Sequence, residues 1–340
     1  MSNSSAPAPR DVLSFDSLLA SLEAAGEVTR LRLIALLCEA ELTVSELVAI
    51  LGQSQPRISR HLKLLVDAGL AEREREGAWA FFRLAERGGA LARDLVARIA
   101  VDDPTLQADR RRLDMTREAR RKQAAAYFAE RAADWDRIRA MHAPEERVEA
   151  AILSMVGDER IYAMLDLGTG AGRMLELLAP LADRAVGVDL NPAMLAIARS
   201  RIESLGLRNS WLRQGDIYAP PVERDSFDLV VVHQVLHFLD DPGRAVIEAA
   251  RALRAHGRLL LVDFAAHNEE SLREQFAHRR LGFSDEEMQG FLTEAGLVDV
   301  QRQLVAPRRA EAGKLTVAIW LARDPRIIAD DLSGAETEYA

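Results

Sequence analysis

Three aspartates and a run of glycines are the residues of this chain best placed to do chemistry. Leu165-Asp166-Leu167-Gly168-Thr169-Gly170-Ala171-Gly172 follows an apolar strand, Tyr162 to Leu167, and precedes a helical segment, Met174 to Leu178. Glycines between a strand and a helix let the backbone come close to a ligand. A second apolar strand, Ala185 to Val188, delivers Asp189, where a carboxylate can accept hydrogen bonds from two ribose hydroxyls. A third, Ser210 to Arg213, leads into Gln214-Gly215-Asp216-Ile217, and Phe227 to Val232 reads as a fourth. A dinucleotide site would place a third glycine three residues after Gly170, but Arg173 stands there and is too large to let helix pack on strand. Asp166, just ahead of the first glycine, suits a ligand with an amino group and a sulfonium better than one with a pyrophosphate.

On these three motifs in order, residues 123–325 resemble a class I S-adenosylmethionine-dependent methyltransferase. The resemblance implies a Rossmann-like α/β sheet, mostly parallel with an antiparallel last strand, for which Leu315 to Trp320 is the expected segment. It also implies S-adenosylmethionine or S-adenosylhomocysteine as ligand. Asp166 with Gly168 and Gly170 would hold the methionine end, Asp189 the ribose, and Asp216 beside Ile217 the adenine; Thr169, Leu190 and His233 complete the expected lining. Tyr127-Phe128 through Trp135-Asp136 reads either as a core stripe or, by resemblance, as a segment lying over the cofactor.

The acceptor side is less determined. His233-Gln234-Val235-Leu236-His237-Phe238 falls at the carboxyl edge of the expected sheet, where doubly wound folds bind ligands. His233 is the base candidate, with a hydrogen-bonded wall residue as the alternative, and His237 reads as structural. No Asn/Asp-Pro-Pro-Tyr run follows the fourth strand, which argues against methylation of adenine in DNA. After a fifth strand, Arg258 to Asp263, the residues Asp263, His267 and His278 could be arranged as metal ligands but lack close spacing, so a polar wall or an inter-domain contact is expected and no metal.

The first hundred residues carry different chemistry. Thr29 to Leu37 is helical by its apolar period; Thr43-Val44-Ser45-Glu46 is a capping box opening a second helix that runs to Leu51 and stops at Gly52. Ser54 is expected to cap a third, with Pro56 in its first turn and Ile58, Leu62 and Leu65 as the buried stripe. Gln55, Arg57, Ser59, Arg60 and Lys63 then face outward, as a helix entering a major groove requires. A hairpin follows, Ala71 to Arg75 and Ala78 to Leu84, turning at Glu76-Gly77. Arg73 and Arg75 fall on one side for phosphate contact, or as a solvated face with Glu72, Glu74 and Glu76; Trp79 and Phe81 are expected to pack on the other.

Through Ser59-Arg60-His61-Leu62-Lys63-Leu64-Leu65 and Ala68-Gly69-Leu70, residues 11 to about 100 resemble the ArsR/SmtB winged-helix repressors, which adds His61 to the expected DNA contacts. Metal-sensing members carry a cysteine pair where this chain has Thr43 and Ser45, and Cys38, its one cysteine, sits in an apolar context. The input signal is therefore expected from the second domain.

The resulting plan is a disordered arm (1–10), a winged helix-turn-helix with α+β character (11–103), a basic helical linker (104–122), the methyltransferase-like domain (123–325) and an acidic tail (326–340). Pro104 is expected to break the helix before the linker, and Thr116 to cap a new one running to about Arg139. The basic cluster Arg110, Arg111, Arg112, Arg117, Arg120, Arg121 and Lys122 reads as a solvated connector, with DNA contact as the alternative.

At 340 residues, 49% hydrophobic and 29% charged, the chain has the composition of a two-domain protein without membrane spans, and one cysteine fits a reducing cytoplasm. A net charge of -9 excludes a general nucleic-acid binder and leaves only a local basic face. Two functions fit: a homodimeric repressor on a pseudo-palindromic operator with S-adenosylmethionine or S-adenosylhomocysteine as effector, by resemblance controlling methionine-cycle genes; or a small-molecule methyltransferase with an autoregulatory winged helix.

Overall fold

The computed structural model describes residues 13–76, 79–85, 88–120, 122, 144–272, 278–307 and 315–327, with positions 76 and 79 described by backbone alone. The expected arm, Gly77, Arg121, the 127–136 segment and most of the acidic tail lie outside these residues, as does the Trp79 side chain. The chain forms two compact units, residues 1–122 and 123–340.

In the first unit, helices α1 (Phe15–Ala25), α2 (Val28–Leu37), α3 (Val44–Leu51), α4 (Gln55–Asp67) and α5 (Gly89–Val96) accompany a three-stranded sheet of β1 (Leu42–Thr43), β2 (Ala71–Glu76) and β3 (Trp79–Leu84) in the order β1-β3-β2. The capping box forms: Thr43 Oγ1 accepts the Glu46 amide, Glu46 accepts the Thr43 amide, and Gly52 ends α3 at φ 66°. Ile58, Leu62 and Leu65 are fully buried with Leu33, Ile34 and Leu47.

Three expectations are corrected. Ser54 sits at the N-cap of α4, but its side chain caps nothing. Pro56 at the second helical position has no amide to offer, and the Arg57 amide bonds the Ser54 carbonyl instead. In the wing, Arg73 and Arg75 do share a face, but the cross-strand pairs Arg73↔Phe82 and Ala71↔Leu84 make it the face whose base enters the core. Phe81 faces the other way and is half-buried. Finally, Pro104 opens a helix. α6 (residues 104–120) begins there, with Asp103 accepting the amides of Thr105 and Leu106, and runs straight through Thr116, whose hydroxyl bonds the Arg112 carbonyl one turn back.

The second unit is a seven-stranded sheet in the order β6-β5-β4-β7-β8-β10-β9. It comprises β4 (Ile161–Leu167), β5 (Ala182–Asp189), β6 (Ser210–Gln214), β7 (Phe227–His233), β8 (Leu253–Phe264), β9 (Val298–Val305) and β10 (Val317–Arg323). β4 through β8 pair in parallel, and β10 runs antiparallel to both β8 and β9. Helices α7 (Glu145–Val156), α8 (Arg173–Leu178), α9 (Pro192–Leu205), α10 (Pro242–Ala252) and α11 (Asp285–Glu294) flank it. Two buried clusters cover its faces, because inward positions alternate along each strand: Leu229, Val231, Leu260 and Val262 on one, Val230, Val232, Leu259 and Leu261 on the other. This is a Rossmann-like α/β fold with its strand order reversing between β4 and β7, the place where such sheets bind ligands.

Candidate functional site

Parallel pairing sets the carboxylates at the strand tips. Asp166 lies opposite Gly187, so Asp189 stands two residues further along β5, and it in turn lies opposite Gln214. Asp166 is 1% exposed; its Oδ2 accepts the Thr169 hydroxyl at 2.5 Å, while Oδ1 is buried without a hydrogen-bond partner. Burial pushes this carboxyl up to about 7, with the Thr169 bond opposing and the Asp189 charge adding to the rise.

Asp189 is already oriented: Oδ2 accepts the Gly170 amide and Oδ1 the Asn191 amide, each at 2.8 Å. A carboxylate has about four lone-pair sites, so each oxygen keeps one for a further donor. Asp216 is exposed and its Oδ1 accepts the Tyr218 amide at 2.9 Å in an Asx turn. Beside them Leu190 is 66% exposed and Ile217 half-buried.

The glycine loop fits this geometry. A Cβ on Gly168, at φ 75°, would lie 2.4 Å from Val235 Cγ2, so the loop closes onto the segment after β7. A Cβ on Gly172, at φ 80°, would lie 3.1 Å from Ala198 Cβ on α9, so this glycine supplies the close packing that Arg173 cannot. Arg173 is tied to Glu149 at 2.5 Å and to Glu176 at 2.8 Å.

On the acceptor side, His233 is half-buried at the end of β7; burial pushes its pKa down to about 4, against the pull of Asp263. Gln234 next to it takes φ 57°, a left-handed conformation uncommon outside glycine, and its Oε1 is buried without a partner. His237 is 2% exposed and its Nδ1 lies 2.7 Å from Asp263 Oδ1, which also accepts the Phe264 amide. The His278 ring stacks on His237 at 4.2 Å. Asp263 thus pairs with an imidazole, and among the described residues no group of His, Cys, Asp and Glu is arranged to hold a metal ion. Sequence reasoning missed the Asp263–His237 pair because the two belong to different strand ends joined only by the fold.

In the first unit Gln55, Arg57, Ser59, Arg60 and Lys63 are exposed on α4, with Arg73 and Arg75 exposed on β2. His61 departs from the expectation: its side chain is 13% exposed and turns toward the α2 cap, with Nδ1 3.6 Å from Glu27 Oε2. Leu64, one turn beyond Arg60, is 43% exposed and was not anticipated. The basic cluster of α6 is largely spent inside the unit. Arg110 bonds Glu39, Arg112 the Ile50 carbonyl, Arg117 the Glu39 carbonyl and Arg120 the Glu46 carboxylate. Cys38 is half-buried against the core. No described helix is long and apolar enough to cross a membrane.

The fold and these residues define a winged helix-turn-helix unit and a methyltransferase-type sheet in one polypeptide. Residues 27–73 match the bacterial regulatory protein arsR family, and residues 165–261 match a methyltransferase domain. The chain therefore joins an arsR-type regulatory domain to a methyltransferase domain. Among curated proteins it is 34% identical to the uncharacterized methyltransferase YcgJ of Bacillus subtilis over 34% of this chain and 46% of that protein. It is 37% identical to the demethylmenaquinone methyltransferase of Thermus thermophilus over 30% of this chain and 46% of that one. These matches span less than half the length of either relative. The crystal structure of the Bacillus subtilis YcgJ protein superposes with a TM-score of 0.46 and 20% identity, over 54% of this chain and 100% of that one.

Proposed function

We propose that this protein is a DNA-binding transcriptional regulator, of repressor type, whose methyltransferase domain takes S-adenosylmethionine or S-adenosylhomocysteine as effector. The observation that carries the ligand is the buried, unpartnered Oδ1 of Asp166 at a strand tip next to a glycine loop. A ligand ammonium would satisfy that oxygen, whereas a phosphate would be repelled by it. Asp189 would hold the ribose hydroxyls on its remaining lone pairs, and Asp216, Leu190 and Ile217 the adenine. When bound, the cofactor supplies a methyl group already activated on a sulfonium.

The exposed row Gln55, Arg57, Ser59, Arg60 and Lys63 supports entry of α4 into a major groove, with Arg73 and Arg75 on phosphates; His61 is left out. A homodimer is supported by α1, where Phe15, Leu18, Leu19 and Leu22 recur at helical spacing and are all exposed. Two copies would place two reader helices on a two-fold operator, in a cytoplasmic setting.

Isothermal titration of the full chain with each ligand, alone and with the DNA upstream of its own gene, tests this reading. Binding with different affinity in the two conditions is expected, since only a differential affinity shifts an equilibrium. Absence of binding, or equal affinity with and without DNA, overturns it.

A further inference from the structure

We infer that Leu64 makes the reader selective for a pyrimidine carrying a 5-methyl group, thymine or 5-methylcytosine, at one position of each half-site. The inference rests on the reading that α4 enters a major groove. Three observations carry it.

First, the cations around Leu64 are held ready for a ligand. Arg57, Arg60 and Lys63 are exposed, and among the described residues none of them is engaged in an ion pair or a side-chain hydrogen bond. The arginines of α6, by contrast, are spent on Glu39, Glu46 and backbone carbonyls. Second, Leu64 stands inside that set. Arg57, Arg60 and Leu64 lie at i, i+3 and i+7, one face over two turns, away from the fully buried stripe of Ile58, Leu62 and Leu65. At 1.5 Å per residue, Leu64 is about 6 Å beyond Arg60 along the helix axis, a step of about two base pairs. Asp67, exposed at the end of α4, closes the row, since phosphates repel its carboxylate. Third, Leu64 is 43% exposed, and no other large hydrophobic side chain is exposed among the described residues of α4, β2 and β3. His61, three residues before it, is turned inward toward Glu27 and leaves this part of the face to the leucine.

The chemistry of the groove then names what the leucine meets. Its side chain offers no hydrogen bond, and pressing it on a base donor or acceptor strips that group of water without replacement. The apolar group that distinguishes one base pair from another in the major groove is the 5-methyl of thymine, and 5-methylcytosine displays the same methyl on the other kind of pair. The three cations supply attraction to phosphates, which is indifferent to sequence; Leu64 adds discrimination, because each methyl it covers is worth about 4-fold in affinity.

The full-length protein and Leu64→Ala are each used to select duplexes from one random pool of the four ordinary bases. The parent is expected to enrich a two-fold site with thymine fixed at one position of each half-site, and Leu64→Ala to lose the preference at that position alone. On the parent's selected site, deoxyuridine in place of that thymine is expected to weaken the parent about 4-fold per half-site and Leu64→Ala not at all. The slope of log K against log salt is expected to be equal in both proteins, because no phosphate contact is lost. A cytosine·guanine pair at that position is then compared with 5-methylcytosine·guanine: tighter binding of the methylated pair assigns both bases as sources of the methyl, and equal binding assigns thymine alone. A parent that enriches no sequence overturns the reading of α4 itself. With enrichment present, a selected site without fixed thymine, or a deoxyuridine duplex bound by the parent as tightly as the thymine one, overturns the inference. A Leu64→Ala variant weakened equally on every duplex also overturns it and makes the leucine a packing residue. The deoxyuridine comparison needs only the parent, so it decides even where the variant does not fold.

Discussion

Arg120 grips Glu46 with two hydrogen bonds of 2.8 Å, from Nε to one carboxylate oxygen and from Nη2 to the other. The same carboxylate closes the capping box of α3 by accepting the Thr43 amide and hydroxyl. Burial works to raise the Glu46 pKa, but Arg120 and Thr43 outweigh it and hold the group below its ordinary value. One glutamate therefore both starts the first helix of the reading motif and anchors the last described helix of the unit. Arg120→Ala is expected to destabilise this unit by about 1–3 kcal/mol, a range for charge-assisted bonds at a partly exposed site. Urea denaturation followed by circular dichroism checks it. Because the folded pKa is depressed, this stabilisation is present above the unfolded carboxylate value and fades as pH falls through the folded one.

Asp166 gives a pH dependence of opposite sign. Its folded pKa is raised to about 7 from an ordinary value of 3.8, so the stability it contributes is complete below about 4 and is lost as pH rises through 7. Asp166→Asn should flatten the decline of Tm across that window in the ligand-free protein. It should also weaken S-adenosylhomocysteine binding by about 10-fold or more, as loss of a charge-assisted bond of about 1.5–3 kcal/mol requires. An unchanged Tm profile would count against the buried carboxyl as described.

Gly168→Ala tests the loop. Its φ of 75° and the 2.4 Å approach to Val235 leave no place for a methyl group. The variant is expected to lose ligand binding by calorimetry while the first unit keeps its own unfolding transition.

For the reader, Arg60→Ala and Lys63→Ala should each weaken DNA binding and reduce the slope of log K against log salt by about one if they contact phosphate. His61→Gln should leave that slope unchanged, since its ring faces Glu27. Fluorescence anisotropy over a salt series distinguishes the three.

Much of this molecule can be read in its residues because local signals coincide. The Thr43/Glu46 box, Gly52 and the Ile58-Leu62-Leu65 stripe each name one helix boundary or face, and the structure uses all of them. What failed were signals with two uses. Pro104 ends helices and also opens them, and the aspartate before it decided the matter; at Ser54 the Arg57 amide, the one a capping side chain would take, goes to the Ser54 carbonyl. The wing was misjudged because parity gives two faces but not which one meets the core. Long-range pairs such as Asp263–His237 and Arg120–Glu46 have no local trace at all. β9, with mostly exposed positions, lacks the alternation that announces a strand.

The pairing of Asp166 with Gly187 rather than with Asp189 makes the sheet a ruler. Two residues of strand set the second carboxylate about 6–7 Å beyond the first along the chain direction. A slip of one residue between β4 and β5 would shorten that interval and turn Asp189 to the opposite face. The reach of any ligand that touches both acids is thus fixed by backbone hydrogen bonds in the buried sheet. Redesign of the side chains around the cleft would change how tightly a ligand is held without changing its span.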